Sequence, residues 1–422
     1  MIRHRDDAIS ALRDAGCHVV NCVIANDPHD VPQIADELKK GDIDLLLFFF
    51  CTWVSEDTTL AIAQELGNVP LFLWALPYLD PSVPMLSPMT GITATSCNLR
   101  NADRRFSYQI GAVSHKKIRN ITRAARIAAV VKKLRRARFG IFGAPCPGAM
   151  DANVDASLLQ QHLGMTTIHF DIEDLLQSWK ESPEKDALEM AMQLRERTGH
   201  SEVPLETIAD QCRLLLGMRS LLRKHHLDGF SVRCWPELRD EHKATICLTM
   251  AELAESNVAS ACEADLAALA TSYILTFLTG QPSCTLEITA YLEELNALQM
   301  AHCGSASLSL AEGGSATIRG HMKTGNGALM EFGFKAGSVT IAKVLRPIRG
   351  SMKMFVGRGT VIPSNPGIRG TVATIQVEPS PAQFLECMLQ NAVEHHLVIV
   401  YGDCSEDLKQ FAKFSEIELV AP

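Results

Sequence analysis

Ile43-Asp44-Leu45-Leu46-Leu47-Phe48-Phe49-Phe50-Cys51 is an apolar run broken by a single charge. It is too short to span a bilayer, which takes about 20 apolar residues. It also lacks the strict apolar–polar alternation of a strand with one wet face. Such a run reads as a strand buried on both faces, the mark of a parallel sheet covered by helices. Its surroundings agree. Residues 31–40 and 58–66 carry helical periodicity on either side, and residues 69–75 form a second apolar run. Helices alternating with buried strands build βαβ units. Further upstream, residues 6–15 read as a helix and 17–24 as a strand. The chain thus opens on a helix where such a domain ordinarily opens on a strand, and we expect a first strand to be missing.

The pattern resumes after a long basic helix at 116–138. Strand 139–142, helix 156–162, strand 166–170, helix 204–224 and strand 229–233 make a second βα series. Helices follow at 250–256 and 263–278. Beyond His302 the texture changes to Gly, Thr and Val. Strands are expected at 306–311, 337–344, 353–362 and 370–377, with the Gly/Pro turns of an antiparallel barrel or sandwich. A last βαβ piece occupies 397–401, 406–414 and 417–420. The fold class is therefore α/β, with two βαβ (Rossmann-like) domains at 1–137 and 138–302 and a β-rich C-terminal domain at 303–422.

Composition excludes several functions. Hydrophobic residues make up 47% and charged residues 21%, as in a folded globular protein. A formal net charge of -8 gives no global attraction to nucleic acid or anionic membrane. The basic residues of helix 116–138 are interleaved with apolar ones, which reads as a solvated or subunit-facing helix. The first residues lack the apolar core of a signal peptide, so a cytoplasmic location is expected. The 13 cysteines are odd in number and contain no Cys-x-x-Cys pair, which argues against a disulfide framework or a zinc ribbon.

Four segments concentrate metal-type ligands: Ala261-Cys262-Glu263-Ala264-Asp265, Thr285-Leu286-Glu287-Ile288, Ala301-His302-Cys303-Gly304 and Glu394-His395-His396-Leu397. Carboxylates with imidazoles suit Mn²⁺, Fe²⁺, Co²⁺ or Ni²⁺ better than a structural zinc, which prefers thiolate. Trp235 follows a strand end and offers a flat apolar face to a sugar. The tract 319–327 is polar and Gly-rich, open to reading as an anion-binding loop or as a solvated one.

These motifs resemble the L-fucose/L-arabinose isomerase superfamily. The likeness rests on Arg233-Cys234-Trp235-Pro236-Glu237-Leu238, Cys262-Glu263-Ala264-Asp265, His302-Cys303-Gly304, and His395-His396 with the strand after it. The strand and loop at 139–151 and the tail from Ser405 add to it, so it covers nearly the whole chain. The resemblance implies a divalent metal, most often manganese, held by Glu263, Glu287, His302 and His396. It implies that Glu263 and Glu287 also move the protons of an aldose–ketose interconversion through an enediol(ate). His395 would lie near the substrate or point away. Met150 and Trp235 would border the substrate. Trp53 would come from a neighbouring subunit of a trimer or hexamer with shared active sites, and Tyr78 occupies a similar loop. The substrate would be a free or sulfonated sugar, since shorter relatives include isomerases of the sulfonated glucose sulfoquinovose. A metal-dependent sugar lyase or aldolase, and a non-catalytic sugar-binding relative, are the competing readings.

Overall fold

The run at 43–51 forms β1 (Leu46–Phe50), which pairs in parallel with β2 (Leu71–Ala75); β2 in turn pairs in parallel with β3 (Phe106–Ile110). This computed structural model describes residues 2–25, 27–77, 87–347, 351–363 and 367–422. Tyr78 lies outside the described residues. β2 is buried along its whole length, as a central parallel strand should be. Helix Val31–Lys40 buries Val31, Ile34, Ala35 and Leu38 on the face that its periodicity defines. Two elements of this sheet escape the sequence reading, helix Pro88–Asn101 and β3. β3 is Phe-Ser-Tyr-Gln-Ile, an alternating edge strand whose Tyr108 and Ile110 are exposed. The expected strand at 17–24 does not form. It makes no ladder, and Val20 and Ile24 are exposed; a β-type sequence without a pairing partner is only extended chain. These elements belong to one compact unit, Met1–Lys133 with Lys409–Glu416.

The second unit is Leu134–Leu408 with Ile417–Pro422. It holds β4 (Arg138–Phe142), β5 (Thr166–Phe170), the short β6 (Gly199–Ser201), β7 (Gly229–Val232) and β8 (Ala259–Cys262). Four of them form a parallel sheet in the order β5-β4-β7-β8. β8 reads Ala-Ser-Ala-Cys, small residues that carry no strand signal in the sequence. The helix expected at 263–278 runs instead over Leu266–Thr279, because Asp265 caps it.

The rest of this unit is a closed barrel. β9 (Cys284–Leu292), β10 (Ala297–His302), β13 (Gly337–Val344), β14 (Lys353–Ile362), β15 (Thr371–Glu378) and β16 (Leu397–Tyr401) pair antiparallel in the order β14-β13-β16-β9-β10-β15, and β15 returns to pair with β14. Closure removes the unpaired edges that would otherwise invite aggregation. β11 (Ala316–Arg319), β12 (Leu329–Gly333) and β6 extend the sheet beyond β15, and β17 (Glu418–Val420) adds in parallel to β14. The barrel starts earlier than the boundary expected at 303. β9 and β10 pair with each other and with barrel strands, so Glu287 and His302 are barrel residues rather than members of the parallel domain. The strand expected at 306–311 is replaced by short helical turns at Leu308–Leu310 and Glu312–Gly314, where Ser307 caps the first turn by accepting from the Ser309 N–H. No helix among the described residues is long and apolar enough to cross a membrane.

Candidate metal centre

Glu263 stands at the carboxyl end of β8, where parallel sheets present ligand-binding groups. It and Ala264 both take left-handed backbone conformations, φ 62 and 59. Each costs a side-chain-bearing residue about 1–2 kcal/mol. The turn is held by its neighbours. Ser231 Oγ donates to the Ala261 carbonyl at 2.9 Å, and Asp265 N–H donates to the Cys262 carbonyl at 3.1 Å. Asp265 Oδ1 then accepts from Ala268 N–H at 2.7 Å, capping a helix that is buried almost all round.

The other oxygen of Asp265 sets up the site. Oδ2 accepts from Lys343 Nζ at 2.6 Å and lies 3.0 Å from His396 Nδ1, and all three side chains are buried. Burial alone would push the Asp265 carboxyl up; the Lys343 ammonium and the His396 hydrogen bond outweigh it and hold the group well below the usual carboxylate range. With Nδ1–H engaged by Asp265, Nε2 is the His396 nitrogen left to coordinate. It has no hydrogen-bond partner and sits 3.8 Å from Glu263 Oε2.

His395 repeats the arrangement. Its Nδ1 lies 2.7 Å from Asp151 Oδ2, which also accepts the His395 backbone N–H at 3.1 Å. Burial raises the Asp151 carboxyl, but these two bonds bring it below its ordinary value. His395 Nε2 is 3.9 Å from Glu263 Oε2, so His395 turns toward the site almost as closely as His396 does. Glu263, His395 and His396 offer ligand atoms that all lie within 4.8 Å of one another.

His302, at the end of β10, is buried with neither ring nitrogen partnered, and its ring centre is 5.7 Å from that of His396. Burial first, then His396 and His395, pushes its pKa down to about 3, so the imidazole is neutral at pH 7. Glu287 of β9 lines the same cavity as Glu263 and His302, a space of about 370 Å³. Buried polar atoms without partners are costly, about 1–3 kcal/mol each. Orphaned imidazole nitrogens beside two carboxylates, with two of the histidines anchored by carboxylates behind them, fit a divalent cation.

Trp235 lines the cavity, with Arg239 over its ring at 5.3 Å. Met150 is 82% exposed in the single chain. Its neighbour Asp151 reaches His395. Trp53 belongs to the first unit and is 41% exposed, so it does not plug that unit's core. Three supporting residues have no role in the sequence reading: Asp265, Lys343 and Asp151. Two carried a signal. Asp265 precedes an apolar run as a helix cap does, and Lys343 is a lone charge in the apolar strand Val339-Thr340-Ile341-Ala342-Lys343-Val344, where only a paired charge is tolerated.

The depressed His302 fixes a pH dependence. An unfolded histidine titrates near 6.5 and the folded one near 3. Between those values the unfolded chain binds a proton that the folded chain does not. Stability is therefore flat above about pH 6.5 and falls as the pH drops toward 3, by up to ~1.4 kcal/mol per pH unit. Urea denaturation of chelator-treated protein at pH 7.5 and 5.0 should show a smaller loss for His302→Gln than for the unmodified protein. An equal loss in both would remove His302 as its source.

Residues 292–421 match the family model described as L-fucose isomerase, C-terminal domain. Among curated proteins, the chain is 24% identical over 401 residues to the sulfoquinovose isomerase of Priestia aryabhattai, covering 94% of this chain and 89% of that one. It is 24% identical over 364 residues to the sulfoquinovose isomerase of Alkalicoccus urumqiensis, covering 85% and 82%. It is 26% identical over 361 residues to that of Clostridium sp. (strain MSTE9), covering 83% and 80%.

Proposed function

We propose that this chain is an aldose–ketose isomerase of the fucose isomerase superfamily that works through a divalent metal held by Glu263, Glu287, His302 and His396. The observation carrying this reading is the unpartnered, buried Nε2 of His396 3.8 Å from Glu263 Oε2, with the unpartnered, buried ring of His302 5.7 Å from that of His396. Manganese is the first choice, with Co²⁺, Fe²⁺ or Ni²⁺ also suited to the O/N set. The ion supplies the Lewis acidity that polarises adjacent sugar oxygens and favours the enediolate.

The chain's own groups do the rest. Glu263 and Glu287 move the protons between the two carbons and the two oxygens. Asp265 and Asp151 hold the imidazoles in one tautomer and orientation. Trp235 offers an apolar face to the sugar ring. The sugar is free or sulfonated, and the names of the relatives make sulfoquinovose the first to try. Part of the same reading is a homo-oligomer, trimer or hexamer, in which Trp53 completes a neighbouring copy's site; its partial exposure leaves the ring available.

A sugar panel tests the reading. Chelated protein should be inactive, and Mn²⁺ should restore ketose formation from at least one aldose. Light scattering on the same sample reads the assembly. Full activity after exhaustive chelation, with no residual metal by mass spectrometry, would overturn the metal role.

A further inference from the structure

The cavity also carries a basic cluster. Its lining includes Arg239, His321, Lys323 and Arg369 beside Glu263, Glu287 and His302, and His321 lies in the field of the other three. Cys303, which also lines the cavity, lies in the field of Glu287, Glu263 and Lys323 alike. The cations are held in place. Arg239 donates through Nε and Nη2 to both oxygens of Asp240, at 2.6 and 2.9 Å. Arg369 donates to Glu331 Oε2 at 3.1 Å and to the Gly320 carbonyl at 2.9 Å. Lys323 has no ion-pair partner among the described residues.

The loop that carries His321 and Lys323 is built rather than slack. His321 N–H donates to the Asn326 carbonyl at 2.9 Å, Gly325 N–H returns to the His321 carbonyl at 2.7 Å, and Asn326 Nδ2 donates to the Arg239 carbonyl at 2.9 Å. A Cβ on Gly320 would meet the Gly325 carbonyl oxygen at 2.2 Å, so the turn closes only with glycine there. His321 is buried, and its Nδ1 accepts the Lys323 N–H at 3.3 Å, which leaves Nε2 to carry a proton. Burial and the surrounding cations push its pKa down to about 4, the field expected where positive charge exceeds negative.

From this we infer that the Arg239, His321, Lys323 and Arg369 cluster in the cavity is a subsite for a tetrahedral oxyanion, sulfonate or phosphate, carried on the sugar away from its reacting carbons. A neutral sugar leaves Lys323 facing a partly desolvated space without a counter-charge, beside two guanidinium groups that Asp240 and Glu331 already pair. A terminal oxyanion meets two guanidinium groups, an ammonium and an imidazole N–H, the donors that bind such groups best. The inference rests on the isomerase reading for which end of the sugar reacts, but the subsite itself is testable without turnover.

The probes are alditols, which cannot isomerise: glucitol, 6-deoxy-6-sulfoglucitol and glucitol 6-phosphate, titrated by calorimetry into metal-free protein. We expect at least one charged alditol to bind about ten-fold or more tightly than glucitol. A preference for the sulfonate over the phosphate, or the reverse, identifies the source of the oxyanion. Lys323→Glu, and separately Arg239→Gln, should collapse the charged-to-neutral ratio toward one. Lys185→Met, on an exposed helix position, should leave the ratio as it is. Equal binding of all three alditols by the unmodified protein would overturn the subsite, and so would a ratio that survives both Lys323→Glu and Arg239→Gln. Charged alditol binding without isomerisation of any sulfonated or phosphorylated aldose under Mn²⁺ would count against the isomerase reading and leave the subsite standing.

Discussion

Glu263→Gln should abolish isomerisation while leaving the fold intact. Glutamine keeps the length of the side chain and the left-handed turn, so the loss is of charge and of a proton acceptor. General acid–base groups contribute about 10²–10⁴-fold on their own, and removing a carboxylate ligand weakens cation binding in addition. Glu287→Gln should fall in the same range, because its carboxylate shares the cavity. Circular dichroism checks the fold, metal content reports the ligand role, and turnover on the best aldose of the panel reports the chemistry. A variant of either residue that holds metal and turns over at near-normal rate would remove that residue from proton transfer.

The second large effect is expected well away from the substrate. Lys343 is wholly buried in β13, and its only described ion-pair partner is Asp265. Removing one member of a buried pair strands the other's charge and costs about 3–5 kcal/mol. Lys343→Met should therefore lower the unfolding free energy extrapolated from urea denaturation by that amount. It should also loosen His396, because the carboxylate that orients Nδ1 loses its other anchor; disturbing such a supporting group typically weakens metal affinity about 10–100-fold. The double variant Lys343→Met with Asp265→Asn separates the two effects. It removes both charges, so stability should largely return, whereas metal affinity should not. If affinity returns along with stability, the Asp265–His396 bond does not orient the ligand.

How much of this was legible in the sequence depends on what each element packs against. The runs at 43–51 and 69–75 gave β1 and β2 because strands buried on both faces need unbroken apolar sequence. Strands 337–344, 353–362 and 397–401 were read with their observed bounds, since barrel strands alternate or stay apolar and end at Gly or Pro. β8 was invisible because small residues fit between a helix and its neighbour strand without any strand signature. β9 and β10 were missed as strands for a different reason. Their sequences carry metal-type ligands among the strand residues, and the change of texture to Gly, Thr and Val comes only after them, although their pairing lies within the barrel. At the site, residue types and order marked Glu263, Glu287, His302 and the His395-His396 pair. The carboxylates behind the histidines were beyond the same reasoning: Asp151 lies far from His395 in sequence, and only the fold brings them together.

The two left-handed residues at the end of β8 bear on how far this protein could be improved. Strained turns of this kind are where a protein engineer looks for spare stability, since glycine accepts φ near +60° without penalty. At Ala264 that exchange is open. At Glu263 it is not, because the residue that would relax the backbone has no carboxylate to offer. Selection for a sturdier enzyme thus meets a fixed floor at this position: the strain and the acid come as one, and extra robustness has to be found elsewhere in the chain.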